Sequence, residues 1–121
     1  MNQILLVGIG GFFGTILRHL IAQFSFSSSW LTSTIIVNTA GSLLIGFLFS
    51  IPSLKNNESL YLFLITGLLG GFTTYSAFSG ETLNLVLRQQ FSLAISYVLL
   101  TLLGGLSFCF VGFFLGKWIN Y

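Results

Sequence analysis

The chain has 121 residues, of which 55% are hydrophobic, four are Lys or Arg and two are Asp or Glu. Soluble domains carry about a quarter charged residues. A share of 5% cannot coat a water-facing exterior, so a soluble globular domain is excluded and an integral membrane protein is expected. A net charge of +2 leaves no footprint for nucleic acid. The single Cys109 forms no internal disulfide, and a small buried thiol in an apolar run is the expectation.

A membrane-spanning helix needs about 20 predominantly apolar residues. The start, MNQILLVGIGG, lacks a basic segment and a cleavage site, so it reads as a first span over 4–24 rather than a signal peptide. The polar gap SFSSSW follows, then a second span over 31–51 that ends at Pro52. The segment PSLKNNES is the most polar part and reads as a loop. The third span covers 60–87, Arg88-Gln89-Gln90 make a turn, and the fourth covers 91–118. Trp30, Tyr61, Trp118 and Tyr121 fall at span ends, where amphipathic aromatics sit at the membrane interface. The apolar runs are continuous, not alternating, so no barrel is expected. The expected fold class is an all-α integral membrane protein, with one transmembrane domain over 1–121 and four helices.

Four spans place both termini on one side. That side holds Lys55 and Lys117, and the other holds Arg88, with Arg18 near it. Orientation is normally set by Lys/Arg asymmetry, and here there is none. Either other signals orient the chain, or the same chain inserts both ways and pairs antiparallel. The charge balance favours the second reading.

Within the first span, Gly10 and Gly14 form a GxxxG motif, read as close helix packing. GIGGFFG touches a dinucleotide fingerprint but has Phe13 at its last glycine and no preceding strand, so that match is discarded. Arg18 either faces protein or water or reaches back to the interface. In the second span Thr34, Asn38, Ser42 and Gly46 repeat every four residues as one polar, small-residue stripe. Asn38 is either helix-to-helix glue or a donor lining a pore. In the fourth span Tyr97 and Thr101 share a row with Gly105 next, and Gly112 and Gly116 form a second GxxxG.

The third span carries LITGLLGGFTTYSAFSGET. Each Gly in a helix interior costs about 1 kcal/mol relative to Ala, and Gly70-Gly71 and Thr73-Thr74 sit near the middle of the span. A break is therefore expected near the bilayer midplane. Broken backbone there is tolerated only when buried in protein, facing a cavity or binding an ion, and freed carbonyls of discontinuous helices bind cations. Tyr75 and Phe78 share a face after the break, and Glu81 follows one turn on.

Three motifs in this order, GGFFGTILRHL, VNTAGSLLIGF and GLLGGFTTYSAFSGET, resemble the Fluc/CrcB family of fluoride channels. They look like that family's first-helix Gly/Arg motif, its N-x-x-G-S motif and its G-G-x-T-T-F-S-T-F-x-x-E-T segment. The resemblance implies passive, fluoride-selective export across the inner (plasma) membrane, giving fluoride resistance. It implies an antiparallel dual-topology dimer with two pores and a structural Na+ at its centre. The sodium would be held by the backbone carbonyls of Gly70 and Thr73 from both subunits. Asn38, Tyr75, Phe78, Tyr97 and Thr101 match the pore positions, and Arg18 and Glu81 match vestibule or gating charges.

Two positions depart from the family pattern. Tyr75 stands where a Phe is typical, and Gly105 stands where the polar track continues with a hydroxyl. Some members work as pairs of unlike subunits, so one half of a heterodimer is an alternative to a homodimer. A small multidrug-resistance-type proton-coupled exporter has similar length and topology, but its chemistry needs an intramembrane carboxylate in the first helix. None is present there. A non-transporting assembly subunit would account for the glycines but gives Asn38 and the TTYS break no role. No metal cluster or Ser/His/acid set supports an enzyme.

Overall fold

The structure is a computed structural model and describes residues 2–24 and 32–119. The SFSSSW gap, Leu31 and Tyr121 lie outside the described residues. Helix α1 spans Gln3–Phe24 and α2 spans Ser33–Phe49. Two short helices follow, α3 Pro52–Lys55 and α4 Glu58–Tyr61. A π-helical stretch Leu62–Leu69 leads into α5 Gly70–Phe72, then α6 Tyr75–Leu87 and α7 Phe91–Ile119.

Glycines at 8, 10, 11 and 14 would weaken α1 in water. In a bilayer the backbone has no competing water, so helix is the obligatory solution. Three helical segments are long and apolar enough to cross a membrane: Gln3–Gln23, Glu58–Leu87 and Phe91–Ile119. With 17 residues, α2 rises roughly 25 Å, at the short end of what spans a hydrocarbon core.

The segment PSLKNNES is more ordered than a loop. Pro52 starts α3, and Asn57 caps α4 by accepting the Leu60 N–H at 3.0 Å. The turn after α6 is where the sequence reading put it. Gln89 has φ 60°, its N–H reaches the Val86 carbonyl and the Gln90 N–H reaches the Leu85 carbonyl. That is the Schellman pattern with Gln in the place glycine usually takes.

The helices pack as two pairs: α1 against the third span, and α2 against α7. Both seams are lined by small residues. A Cβ on Gly14 would collide with the Leu68 carbonyl, and one on Gly71 would sit 2.6 Å from the Gly11 carbonyl oxygen. On the other seam, a Cβ on Gly112 would collide with the Leu43 carbonyl and one on Gly46 with that of Cys109. The helices thus touch backbone to backbone, the contact that van der Waals association in lipid requires. The outer faces of α1 and α7 expose Ile4, Phe12, Leu103, Phe110 and Phe114, a surface suited to lipid.

Candidate functional site

The third span breaks at its centre. Thr73 (φ −82°, ψ 160°) and Thr74 (φ −151°, ψ 114°) are extended between α5 and α6. In a continuous helix the Thr74 N–H would bond the Gly70 carbonyl. Instead it donates to Asn38 Oδ1 at 2.8 Å, and Asn38 Nδ2 donates to the Thr74 carbonyl at 3.0 Å. The Asn38 amide therefore replaces the backbone pairing that the Thr74 N–H loses, and adds a donor to the Thr74 carbonyl. Thr74 Oγ1 also caps α6, accepting the Ala77 N–H at 3.2 Å, and Thr73 Oγ1 donates to the Leu69 carbonyl at 2.9 Å.

Asn38 is thus bonding across helices, and the spacing of the polar stripe explains how. Thr34, one turn earlier, donates to Glu81 Oε1 at 2.7 Å. One face of α2 braces both the break and the helix that follows it. Of the two Asn38 N–H groups one is used, and the other has no partner among the described residues.

The break opens on two cavities. One is a groove of about 440 Å³ lined by Asn38, Gly70, Thr73, Tyr75, Phe78 and Thr101, together with Ser42, Gly105 and Cys109. The second is lined by Arg18, His19, Thr34, Ser76 and Glu81. Thr74 borders both.

The expected pore residues fall into distinct environments. Phe78 is buried at 7% exposure, whereas Tyr75 is 77% exposed. Their ring centroids are 5.6 Å apart. Phe78 also stacks on Tyr97, at 5.6 Å between centroids and 28° between planes. Tyr97 is buried and donates its hydroxyl to Glu81 Oε2 at 2.5 Å. Thr101 is buried as well, and its hydroxyl donates to the Tyr97 carbonyl of its own helix at 2.8 Å. The row formed by Tyr97 and Thr101 is therefore internally bonded in the single chain.

Glu81 accepts one hydrogen bond on each carboxylate oxygen, from Thr34 and Tyr97. Arg18 turns inward: its Nη1 donates to the Thr73 carbonyl at 3.4 Å. Of the two readings of Arg18, the structure takes the one that faces protein. The carbonyls of Gly70 and Thr73, two residues on the groove, are among those of residues 70–73 that the break frees. Gly70 has lost the Thr74 donor, and Thr73 has one long bond from Arg18.

Sequence reasoning did not reach the Thr34–Glu81 bond or the Asn38–Thr74 pair. The four-residue period of the α2 stripe was the available signal, but it names no partner. Nothing in residue pattern marks the π-helical stretch.

Comparison with known proteins gives a consistent answer. The family described as "CrcB-like protein, Camphor Resistance (CrcB)" matches residues 5–113. A protein of Clostridium perfringens named "Fluoride-specific ion channel FluC" is 41% identical over 113 residues, covering 89% of this chain and 88% of the relative. One of the same name from Chloroflexus aurantiacus is 38% identical over 125 residues, covering 99% of each. A third, from Agrobacterium fabrum, is 37% identical over 122 residues, covering 97% and 98%. With its motifs in order and its matches running nearly end to end, the chain belongs to the CrcB family.

Proposed function

We propose that this chain is a fluoride-selective channel, a multi-pass membrane protein that lets cytoplasmic fluoride leave passively down its electrochemical gradient. The observation that carries the reading is the broken third span, braced by Asn38, beside a groove lined by amide, hydroxyl and aromatic groups. The relatives' printed names supply the ion.

Fluoride is small and strongly hydrated, so a path must replace its water with donors. Moving even a carboxylate-sized ion into a low-dielectric medium has an idealised cost of order 20 kcal/mol. The spare Asn38 N–H is one such donor. Phe78, held by its stack on Tyr97, can offer a ring edge, which is positive in the aromatic quadrupole. Weak contacts in series allow an ion both to enter and to leave. A proton-coupled exporter is not supported: α1 carries no Asp or Glu, and Glu81 is tied to Thr34 and Tyr97. The reading is transport, not catalysis, as the relatives' names also have it.

The working unit we infer is an antiparallel dimer, with four spans per subunit and two pores. The groove is open along one side and Tyr75 stands 77% exposed beside it, which suits a partner closing it. The two-against-two distribution of Lys and Arg suits insertion both ways. A structural Na+ between the subunits fits the donor set. A hard cation takes oxygen ligands, and the carbonyls of Gly70 and Thr73 both lose their helical donors at the break. A carbonyl has two lone pairs, so the Arg18 contact does not exhaust Thr73. The ion would make the break a fixed structural centre.

Liposomes containing only this chain, with a fluoride electrode and chloride as control, test the reading. Fluoride efflux without chloride efflux is expected. Flux absent alone but restored by a second homologous subunit would identify a heterodimer. No fluoride flux in either case would overturn the reading.

Two further results are expected. Phe78→Ile should lower fluoride flux about tenfold or more while the dimer survives size-exclusion chromatography, because the stack and the ring edge are lost together. Unchanged flux would remove Phe78 from the path. Exchange of sodium for a bulky organic cation should shift the dimer toward monomer on the same column. A dimer indifferent to prolonged sodium removal would exclude the proposed ion.

A further inference from the structure

Ser42 lies one turn beyond Asn38 on α2 and faces the same groove. Serines inside helices commonly turn their hydroxyls back to a carbonyl of the preceding turn. Ser50 and Ser79 do this, donating to the Phe47 and Tyr75 carbonyls. Ser42 does not, and its hydroxyl has no partner among the described residues. The hydroxyls of Thr73, Thr74 and Thr101 around the groove are all engaged.

The facing residue on α7 is Gly105. A Cβ there would stand 3.4 Å from Ser42 Oγ, so the missing side chain leaves the space in front of that hydroxyl free. Ser42 is half-buried, and its hydroxyl, bonding nothing among the described residues, is open to an acceptor that enters the groove. Another unused donor on the same groove is the second N–H of Asn38, about 6 Å along the helix. Two free donors of the same face, one turn apart, make a pair of stations and leave an acceptor to be supplied from outside the chain.

We propose that Ser42 Oγ–H is a further fluoride-binding donor, the next station after Asn38, and that Gly105 provides the room for the ion. The proposal deepens the channel reading and rests on it. The hydroxyl comes from α2 rather than from α7, which has none at position 105. No bond is made or broken: the ion exchanges one donor for the next as it moves.

The test is fluoride efflux from liposomes containing the parent chain, Ser42→Ala, and the double variant Ser42→Ala/Gly105→Ser. Each is first checked as a monodisperse dimer. Ser42→Ala should conduct about tenfold or more slowly, the scale expected for losing a hydrogen bond to a charged group. The double variant returns a hydroxyl to the same space from the opposite helix, and its flux should recover to within about threefold of the parent. A change in packing alone would not be repaired that way. Ser42→Ala within twofold of the parent overturns the proposal and leaves the channel reading intact. So does a double variant as slow as Ser42→Ala. A parent chain that carries no fluoride, alone or with a homologous subunit, overturns the channel reading and this proposal with it.

Discussion

Asn38→Asp should abolish fluoride efflux, the largest single-residue effect expected in this protein. The two side chains have nearly the same shape, so the difference is chemical. One carboxylate oxygen can still accept the Thr74 N–H, as Oδ1 does at 2.8 Å. The other would face the Thr74 carbonyl, to which Nδ2 now donates at 3.0 Å. A donor–acceptor contact becomes a contact between two acceptors, which loses a hydrogen bond and sets two oxygens against each other at a cost of about 1–3 kcal/mol. The effect on conduction is greater. Two like unit charges 4 Å apart at an effective dielectric constant of 20 repel by about 4 kcal/mol, close to a thousandfold in rate. The spare N–H that could greet the anion is lost as well. Repulsion therefore dominates, and the dimer should persist while flux disappears. The measurement pairs size-exclusion chromatography with electrode-monitored efflux. Flux within tenfold of the parent from an intact dimer would take Asn38 off the anion path and leave it a brace alone.

How far the sequence foretold this site differs residue by residue. The break was legible because it has a local cause: two glycines and two threonines at the centre of an apolar run leave few alternatives to an interrupted helix. The packing role of Gly10, Gly14, Gly112 and Gly116 was legible for the same reason, since GxxxG spacing acts on one helix face. Partners were not legible. Asn38 could have bonded any neighbour, and only the approach of α2 to the third span selects the Thr74 backbone. Tyr97 and Thr101 share a row in the sequence, and the family resemblance matches both to the pore. The fold buries both, and gives one hydroxyl to Glu81 and the other to a carbonyl of its own helix. Arg18 had two readings because a long side chain reaches either the interface or the protein. Its choice depends on the Thr73 carbonyl, which exists as a free acceptor only after the helix breaks. PSLKNNES is polar enough to read as a loop, yet Pro52 and Asn57 are start signals for short helices, and both are used.

The Arg18 contact depends on how closely α1 approaches the third span, and Gly14→Ala should disrupt that approach. A methyl group at Gly14 would overlap the Leu68 carbonyl oxygen and stand 2.8 Å from the Phe72 nitrogen. Both obstacles are backbone, so no rotamer change relieves them. The helices must separate, and the neighbouring contact between Gly71 and the Gly11 carbonyl separates with them. Overpacking of this kind typically costs 1–3 kcal/mol, and with backbone on both sides about 3 kcal/mol is expected. In lipid there is no hydrophobic force to hold the pair once close packing is lost. Arg18 lies one turn beyond Gly14 on the same helix and would be drawn from the Thr73 carbonyl. Loss of the monodisperse dimer and a lower thermal midpoint in detergent are therefore expected. Gly8→Ala is the matched control on the same helix. A methyl group there meets nothing within 4 Å, so only helix propensity acts. Replacing Gly by Ala should then stabilise by up to about 1 kcal/mol. One substitution, made twice on one helix six residues apart, should move stability in opposite directions. Equal effects at the two positions would mean that the α1 seam does not hold this fold together.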